Sequence, residues 1–193
     1  MDTENTLPER VETERLVLRP PRKGDGAEVC CAIQETLSSL QSWLPWAKSP
    51  PTLESSEKFA CEAEENWANR KEFIFQLRLK GSEELVAYVG LHPRNGEVPS
   101  FEIGYWCRLS GQGKGYVSEG VRAVTRFAFE VMGANRVEIR CDTRNEASRR
   151  VAERCQFTHE AILRRDCRDS EEELRDTHVF ALIREEFAER YGG

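Results

Sequence analysis

The chain has 193 residues, of which 39% are hydrophobic and 32% charged, a balance typical of a folded globular protein rather than a disordered one. Its formal net charge is −6, whereas nucleic-acid-binding proteins usually present a basic face, so no direct nucleic-acid binding is expected. No apolar run approaches the roughly 20 residues that cross a bilayer, so no membrane partner is expected either.

The length predicts a single domain over residues 1–193, with residues 1–14 as a flexible N-terminal arm. The arm is polar and acidic and lacks the apolar segment of a signal peptide. The seven cysteines are odd in number and irregularly spaced. We therefore expect free, mostly buried thiols in a reducing cytoplasm, with disulfides or a metal as less favoured alternatives.

The coarse pattern predicts seven strands and four helices. The front half gives a strand, two helices separated by an aromatic loop, and a hairpin whose turn begins at Gly81. The back half gives strand, helix, strand, helix and two strands. This order predicts an α+β (mixed α/β) fold with helices on both faces of the sheet. The predicted strands are 15–19, 73–79, 85–91, 101–107, 136–141, 157–164 and 176–183, and the predicted helices are 25–40, 53–70, 116–132 and 145–154.

A glycine-rich turn, with Gly111, Gly113 and Gly115, leaves the strand 101–107 and enters the helix 116–132. The first N–H groups of a helix have no partner within it, and together with the helix dipole they favour a phosphate. Lys114 adds a positive charge. The turn ends neither as a P-loop nor as a dinucleotide fingerprint. It predicts a phosphate or pyrophosphate site, and a connection without a ligand stays open from the turn alone.

Three segments in this order resemble the GNAT acetyltransferase superfamily: 101–106, 113–120 and 145–148. Segments 15–19 and 43–46, and Arg175 with Asp176, are similar to its Rim-type branch, the N-terminal acetyltransferases of ribosomal proteins. The resemblance covers roughly residues 12–188. It implies the GNAT fold, with a mixed, mostly antiparallel twisted sheet of about seven strands, and acetyl-CoA as the acetyl donor with CoA as product.

The same resemblance implies the donor site. Gln112 and Gly115 match the family's phosphate-binding pattern, while Val117 replaces its last small residue. The strand end would lie beside the pantetheine arm, and Asn145 would bond to the cofactor. Arg149 and Arg150 would reach phosphates, or else be solvated helix charges. The predicted acetyl-CoA-binding residues are Tyr105, Trp106, Cys107, Gln112, Gly113, Lys114, Gly115, Tyr116, Val117, Ser118, Asn145 and Arg150.

Direct acetyl transfer to an amine requires a base for the amine and an acid for the leaving thiolate. Glu102 is the predicted base, acting directly or through water, because the resemblance places a base on this strand. Ser148 is the predicted acid, since it shares a helix face with Asn145. An exposed or paired carboxylate and a surface serine are the alternatives. A nucleophilic cysteine is not expected.

Trp43 and Trp46 are the predicted acceptor-binding residues, with a packing role as the alternative. The three histidines, His92, His159 and His178, are dispersed and are expected to be structural or exposed. The predicted acceptor is a protein or peptide N-terminal α-amine. A small-molecule amine, such as an antibiotic, polyamine or aminoacyl nucleotide, is the alternative. A non-catalytic acyl-CoA-binding sensor and an unrelated nucleotide-binding module are less favoured hypotheses. Homodimerisation is left open.

Overall fold

The structure is a computed structural model that describes residues 7–95, 97–169 and 171–192. Within them the chain forms one sheet of eight strands, flanked by five α-helices. The strands are β1 (Val11–Glu12), β2 (Leu16–Arg19), β3 (Phe73–Leu79), β4 (Leu85–Asn95), β5 (Ser100–Cys107), β6 (Arg136–Asp142), β7 (Thr158–Arg168) and β8 (Leu174–Ile183). The helices are α1 (Gly26–Gln41), α2 (Leu53–Ala68), α3 (Tyr116–Arg126), α4 (Glu146–Arg154) and α5 (Arg184–Tyr191).

The sheet is mixed and mostly antiparallel, as predicted. The strand order is β1-β2-β3-β4-β5-β6-β8-β7, and only β5 and β6 run parallel. Their pairing covers Ser100–Glu102 on β5 against residues 136–138 on β6, although β5 continues to Cys107 and β6 to Asp142. The two strands therefore separate beyond Glu102 and leave a gap in the middle of the sheet.

The two faces of the sheet bury different clusters. One face holds the main core, in which Phe101 and Ile103 of β5 pack with Val121 and Val124 of α3. The other face holds a smaller cluster, in which α1 and α2 cover Tyr88 of β4 and Trp106 of β5. Alternation along β5 therefore sends Ile103 and Tyr105 to one face and Trp106 to the other.

Four features differ from or refine the predictions. The sheet has eight strands because the two-residue β1 pairs with β2, and two residues are too short to show alternation. Helix α5 was not predicted, because its apolar residues are few; it packs through Phe187 on Phe129 with ring centroids 4.5 Å apart. The long helix predicted to residue 132 continues beyond Arg126 as a π-turn, and Gly133 then closes it at φ +68°. The cap after α4 is made by Gln156 at φ +60°, a left-handed conformation that is costly for a residue with a side chain.

No helix in the described ranges is long and apolar enough to span a bilayer. The seven cysteines are free thiols, three of them buried, three partly buried and one exposed.

Candidate active site

The gap between β5 and β6 exposes backbone that the sheet leaves unpaired. From Ile103 to Cys107 one edge of β5 is bonded to β4, and the other edge faces the gap. Every second N–H and C=O along this stretch therefore points into the gap, where an amide-bearing ligand can pair with it. Tyr105, Trp106 and Cys107, predicted to lie beside the pantetheine arm, occupy this edge.

The glycine-rich turn lies at the end of the same strand. Gly113 and Gly115 take φ values of +74° and +82°, which side-chain-bearing residues rarely adopt. The first helical hydrogen bond of α3 runs from Glu119 N to Gly115 O, so the three N–H groups of residues 116–118 start the helix with no acceptor before them. Such free N–H groups at a helix start suit an anion, and the phosphate site predicted here from the sequence stays a prediction.

Arg15 braces the turn from outside it. Its guanidinium donates to Lys114 O at 3.0 Å, bonds Glu119 at 2.7 Å and lies 4.8 Å from the ring centre of Tyr116. Burial raises the pKa of Glu119, but hydrogen bonds from Thr13 and Arg15 outweigh it, and the net pKa lies below the usual value. Glu119 is therefore ionised at neutral pH and holds Arg15 against the turn.

A polar groove of about 570 Å³ opens beside the turn. Its walls carry three arginines, Arg15, Arg122 and Arg154, against two carboxylates, and its floor includes Gly115 and Ser118. Arg122 also donates to Arg154 O at 2.6 Å, which ties the middle of α3 to the end of α4. The groove is suited to a phosphorylated ligand. The sequence reasoning missed these three arginines, because they lie far apart in the chain.

Tyr105 and Ser148 meet on the main-core side of the gap. The Tyr105 hydroxyl lies 2.8 Å from Ser148 Oγ and also donates to Ser148 O at 3.1 Å. Burial raises the pKa of Tyr105 well above its usual value, so its hydroxyl keeps its proton at neutral pH. The two hydroxyl groups form a hydrogen-bonded pair. The spacing of residues in the sequence did not predict that Tyr105 is part of this pair.

The other residues predicted at α4 fall into two groups, a helix cap and charges on the helix surface. Asn145 caps the helix, since its Oδ1 accepts from Ser148 N at 3.0 Å, which leaves its NH₂ group to donate elsewhere. Arg149 is bonded to Glu146 and Glu153 of its own helix, both at 2.6 Å, and so is a helix-surface charge. Arg150 is exposed on the same helix.

The cysteines near the site are poor nucleophiles. Burial raises the pKa of Cys107 to about 11, and burial likewise raises the pKa of Cys155 to about 11. Both remain thiols at neutral pH, where a thiol is unreactive. The geometry therefore agrees with direct transfer rather than a cysteine intermediate.

The opposite face of β5 carries the residues predicted for the acceptor. Trp106 stacks on Tyr88 at 5.0 Å between ring centres, and Trp46 lies 6.4 Å from Trp106. Glu102 is on this face and accepts a bond from Arg94 at 2.8 Å. Because the Trp106 side chain points away from Tyr105, only its backbone faces the gap. Trp43 lies two residues beyond the end of α1 and is 38% exposed.

Comparisons with known proteins agree with this architecture. The chain is 26% identical to p20 of Bacillus licheniformis, an uncharacterised N-acetyltransferase, over 93% of this chain and 99% of that one. The microcin C7 self-immunity acetyltransferase MccE, solved with acetyl-CoA and AMP, superposes with a TM-score of 0.84 at 20% identity, over 94% and 99% of the two chains. The ribosomal L7/L12 α-N-protein acetyltransferase RimL, solved with CoA, gives 0.83 at 20% identity, over 93% and 98%.

The fold and these similarities are those of an acetyltransferase. A family model described as the acetyltransferase (GNAT) domain matches residues 15–158, and the chain belongs to that family. It is an N-acetyltransferase that uses acetyl-CoA and acts on an amine acceptor. The left-handed glycines, the free N–H groups of α3 and the unpaired edge of β5 fit such a donor.

Proposed function

We propose that this chain transfers the acetyl group of acetyl-CoA to the α-amine of a protein or peptide N-terminus. The observation that carries the proposal is the open aromatic surface on the α1–α2 face, beside the gap. Trp46 is 53% exposed there and contacts Trp106 of β5. An exposed aromatic surface accommodates an extended peptide end, because only the terminal amine has to enter the gap.

The chemistry of the acceptor favours an α-amine. Its pKa near 7.7–8.0 means that removing its proton at pH 7 costs about 1 kcal/mol, whereas a lysine near 10.4 costs about 4–5 kcal/mol. The likeness to RimL, named for acetylating a protein α-amine, points to the same acceptor class.

The donor is assigned to the main-core side. We propose that the N–H groups of residues 113–118 bind its pyrophosphate and that Arg15, Arg122 and Arg154 balance its remaining negative charge. Acetyl-CoA supplies the activated acetyl group when bound. Ser148, hydrogen-bonded to Tyr105, is proposed to donate a proton to the leaving thiolate. Asn145 fixes the start of α4 and so holds Ser148 in place.

A small-molecule amine is the second candidate. Lys48 and Glu172 form an ion pair at 2.9 Å that links the turn carrying Trp46 to the β7–β8 connection. This ion pair would limit the space beside Trp46 for a long acceptor, and so would favour a compact amine. The likeness to MccE, solved with AMP, agrees with an aromatic surface that stacks on a base.

A thiol-release assay distinguishes these acceptors. The protein is incubated with acetyl-CoA and each member of a panel: a peptide with a free α-amine, the same peptide N-acetylated, a polyamine and an aminoacyl nucleotide. The proposal predicts CoA release with the free peptide and none with its blocked form. Release with only the small amines would contradict it. Binding of acetyl-CoA without release in any arm would favour an acyl-CoA sensor.

A further inference from the structure

A histidine and a glutamate form a bonded pair on the acceptor face. His92 of β4 lies with its Nδ1 2.7 Å from Oε1 of Glu72, the residue just before β3. The register of the β3–β4 hairpin explains this contact. Phe73 pairs with Leu91, so Glu72, which precedes Phe73, lies opposite His92, which follows Leu91. The imidazole is 41% exposed and the carboxylate 31% exposed, so both remain accessible.

The imidazole lies over a floor made of two glycines. Gly90 of β4 pairs with Gly104 of β5, and both face the same side as His92. A Cβ added at Gly90 would lie 2.5 Å from Nε2 of His92, and one at Gly104 would lie 3.4 Å from it. A side chain at Gly90 would therefore move the ring from this position, and glycine allows its close approach to the sheet.

This floor lies where β5 leaves β6. The last paired residue of β5 is Glu102, and Gly104 is two residues further into the gap. Next to it, Tyr105 points to the opposite face and meets Ser148. Nε2 of His92 and the Tyr105–Ser148 hydroxyls therefore flank the same short stretch of β5 from its two faces.

We propose that His92 is a catalytic residue whose Nε2 accepts the proton of the acceptor amine, and that Glu72 is its positioning residue. If the neutral ring donates Nδ1–H to Glu72, the lone pair of Nε2 is left free on the acceptor face, above Gly90 and Gly104. An imidazole held in this way is the commonest general base in enzymes. The inference rests on amine acetylation and holds for either candidate acceptor.

Glu102, the base predicted from the sequence, lies directly across the strand pair from His92. Its Oε2 accepts the bond from Arg94, whereas Nε2 of His92 has no hydrogen-bond partner within the described ranges. Of the two neighbours, Glu102 is held in an ion pair with Arg94, whereas Nε2 of His92 is held by no such contact.

The proton balance is simple. The acceptor ammonium gives one proton to Nε2, and its lone pair then forms the N–C bond while the thioester C–S bond breaks. A second amine proton is balanced by protonation of the CoA sulfur through the Ser148 hydroxyl. The proton on His92 passes to water, and the ring returns to its starting state.

Variants at His92 and Glu72 test the inference. His92→Gln can still donate to Glu72 but cannot act as a base, so kcat should fall about 100-fold at pH 7 with the affinity for acetyl-CoA unchanged. Added imidazole should partly restore turnover to His92→Ala. The matched control is His159→Gln on β7, which should keep wild-type turnover. A His92→Gln rate within about twofold of wild type, or a large loss confined to Glu102→Gln, would overturn the proposal.

A measurement independent of turnover tests the orientation. Nitrogen NMR at pH 9 on the protein, which has only three histidines, reports the tautomer of each ring. His92 should carry its proton on Nδ1 in the wild type and lose this preference in Glu72→Gln. A wild-type ring protonated on Nε2 would contradict the assignment. The rate assays use whichever amine the wild type acetylates, so rejection of peptides would count against the proposed acceptor and not against His92.

Discussion

The two faces of β5 assemble their functional residues in different ways. On the main-core face, most of the proposed donor residues come from the end of β5, the turn, α3 and the start of α4, all within residues 105–148, and Arg15 and Arg154 join them from outside this range. On the α1–α2 face, Trp46 contacts Trp106 and Glu72 contacts His92, and both contacts form only when distant segments of the chain pack together. In the proposed sites, donor binding relies mainly on backbone geometry, which a local motif encodes, while acceptor binding relies on side chains from distant segments.

The largest expected effect lies on the donor face, at the Tyr105–Ser148 pair. Ser148→Ala should lower kcat about 100-fold, because the thiolate loses its acid, and should leave the acetyl-CoA Kd within about twofold. The two hydroxyls share one hydrogen bond. The double variant Ser148→Ala with Tyr105→Phe should therefore lose less activity than the losses of the two single variants combined. Ser82→Ala, in the exposed β3–β4 turn, is the control. Equal activity in Ser148→Ala would remove this serine from the mechanism.

The next effect sharpens the comparison at the turn. Gly115→Ala should weaken acetyl-CoA binding about tenfold, because a left-handed alanine costs about 1–2 kcal/mol and the turn would shift to avoid it. Gly24→Ala is a matched control, since Gly24 also has a positive φ, of +98°, but lies before α1. It should lower stability without changing acetyl-CoA affinity, as measured by calorimetry. Equal affinity losses in both variants would show that general instability, not the turn, is responsible.

A smaller effect is expected on the acceptor face. Trp46→Ala should raise KM for the amine by about two- to tenfold, corresponding to the 0.5–1.5 kcal/mol of an aromatic pair, with acetyl-CoA affinity unchanged. Trp43→Ala should have less effect, because no ring contact joins Trp43 to Trp106 within the described residues. A shift in acetyl-CoA affinity in Trp46→Ala would break the separation between the two faces.

The smallest effect concerns the histidine pair on β7 and β8. Nδ1 of His178 lies 3.0 Å from Nε2 of His159, and burial, together with His159 and Arg149, lowers the pKa of His178. Glu146 and Glu153 oppose this shift. The unfolded chain therefore binds more protons than the folded one as pH falls below about 6.5, so this contribution to stability is present above that pH and lost below it.

Unfolding midpoints measured from pH 7.5 to pH 5 check this sign. The wild type should lose stability across the range, and His178→Phe should lose less of it. A steeper loss in His178→Phe would mean that the pair is stabilised by its charge instead.

The sequence predicted most of the fold and the donor turn, because alternation, glycine positions and helix caps are local signals. The acceptor side was not predictable in the same way. His92 and His178 looked isolated along the chain, yet strand pairing gives each a partner, Glu72 and His159.

Arg15 shows the same limit on the donor side. In the sequence it only begins a strand pattern, whereas in the fold it is hydrogen-bonded to Lys114 and Glu119, about 100 positions further along the chain. Its function depends on β2 lying against α3, which no spacing along the chain encodes.

The most direct test of the account is the position of the acetyl group on a single peptide that carries both a free α-amine and a lysine. The peptide is incubated with the protein and acetyl-CoA at pH 7, and the product is sequenced by mass spectrometry. The account predicts acetylation of the α-amine alone, because its lower pKa leaves far more of it unprotonated. Acetylation of the lysine, or of neither amine while a small amine is acetylated, would contradict it.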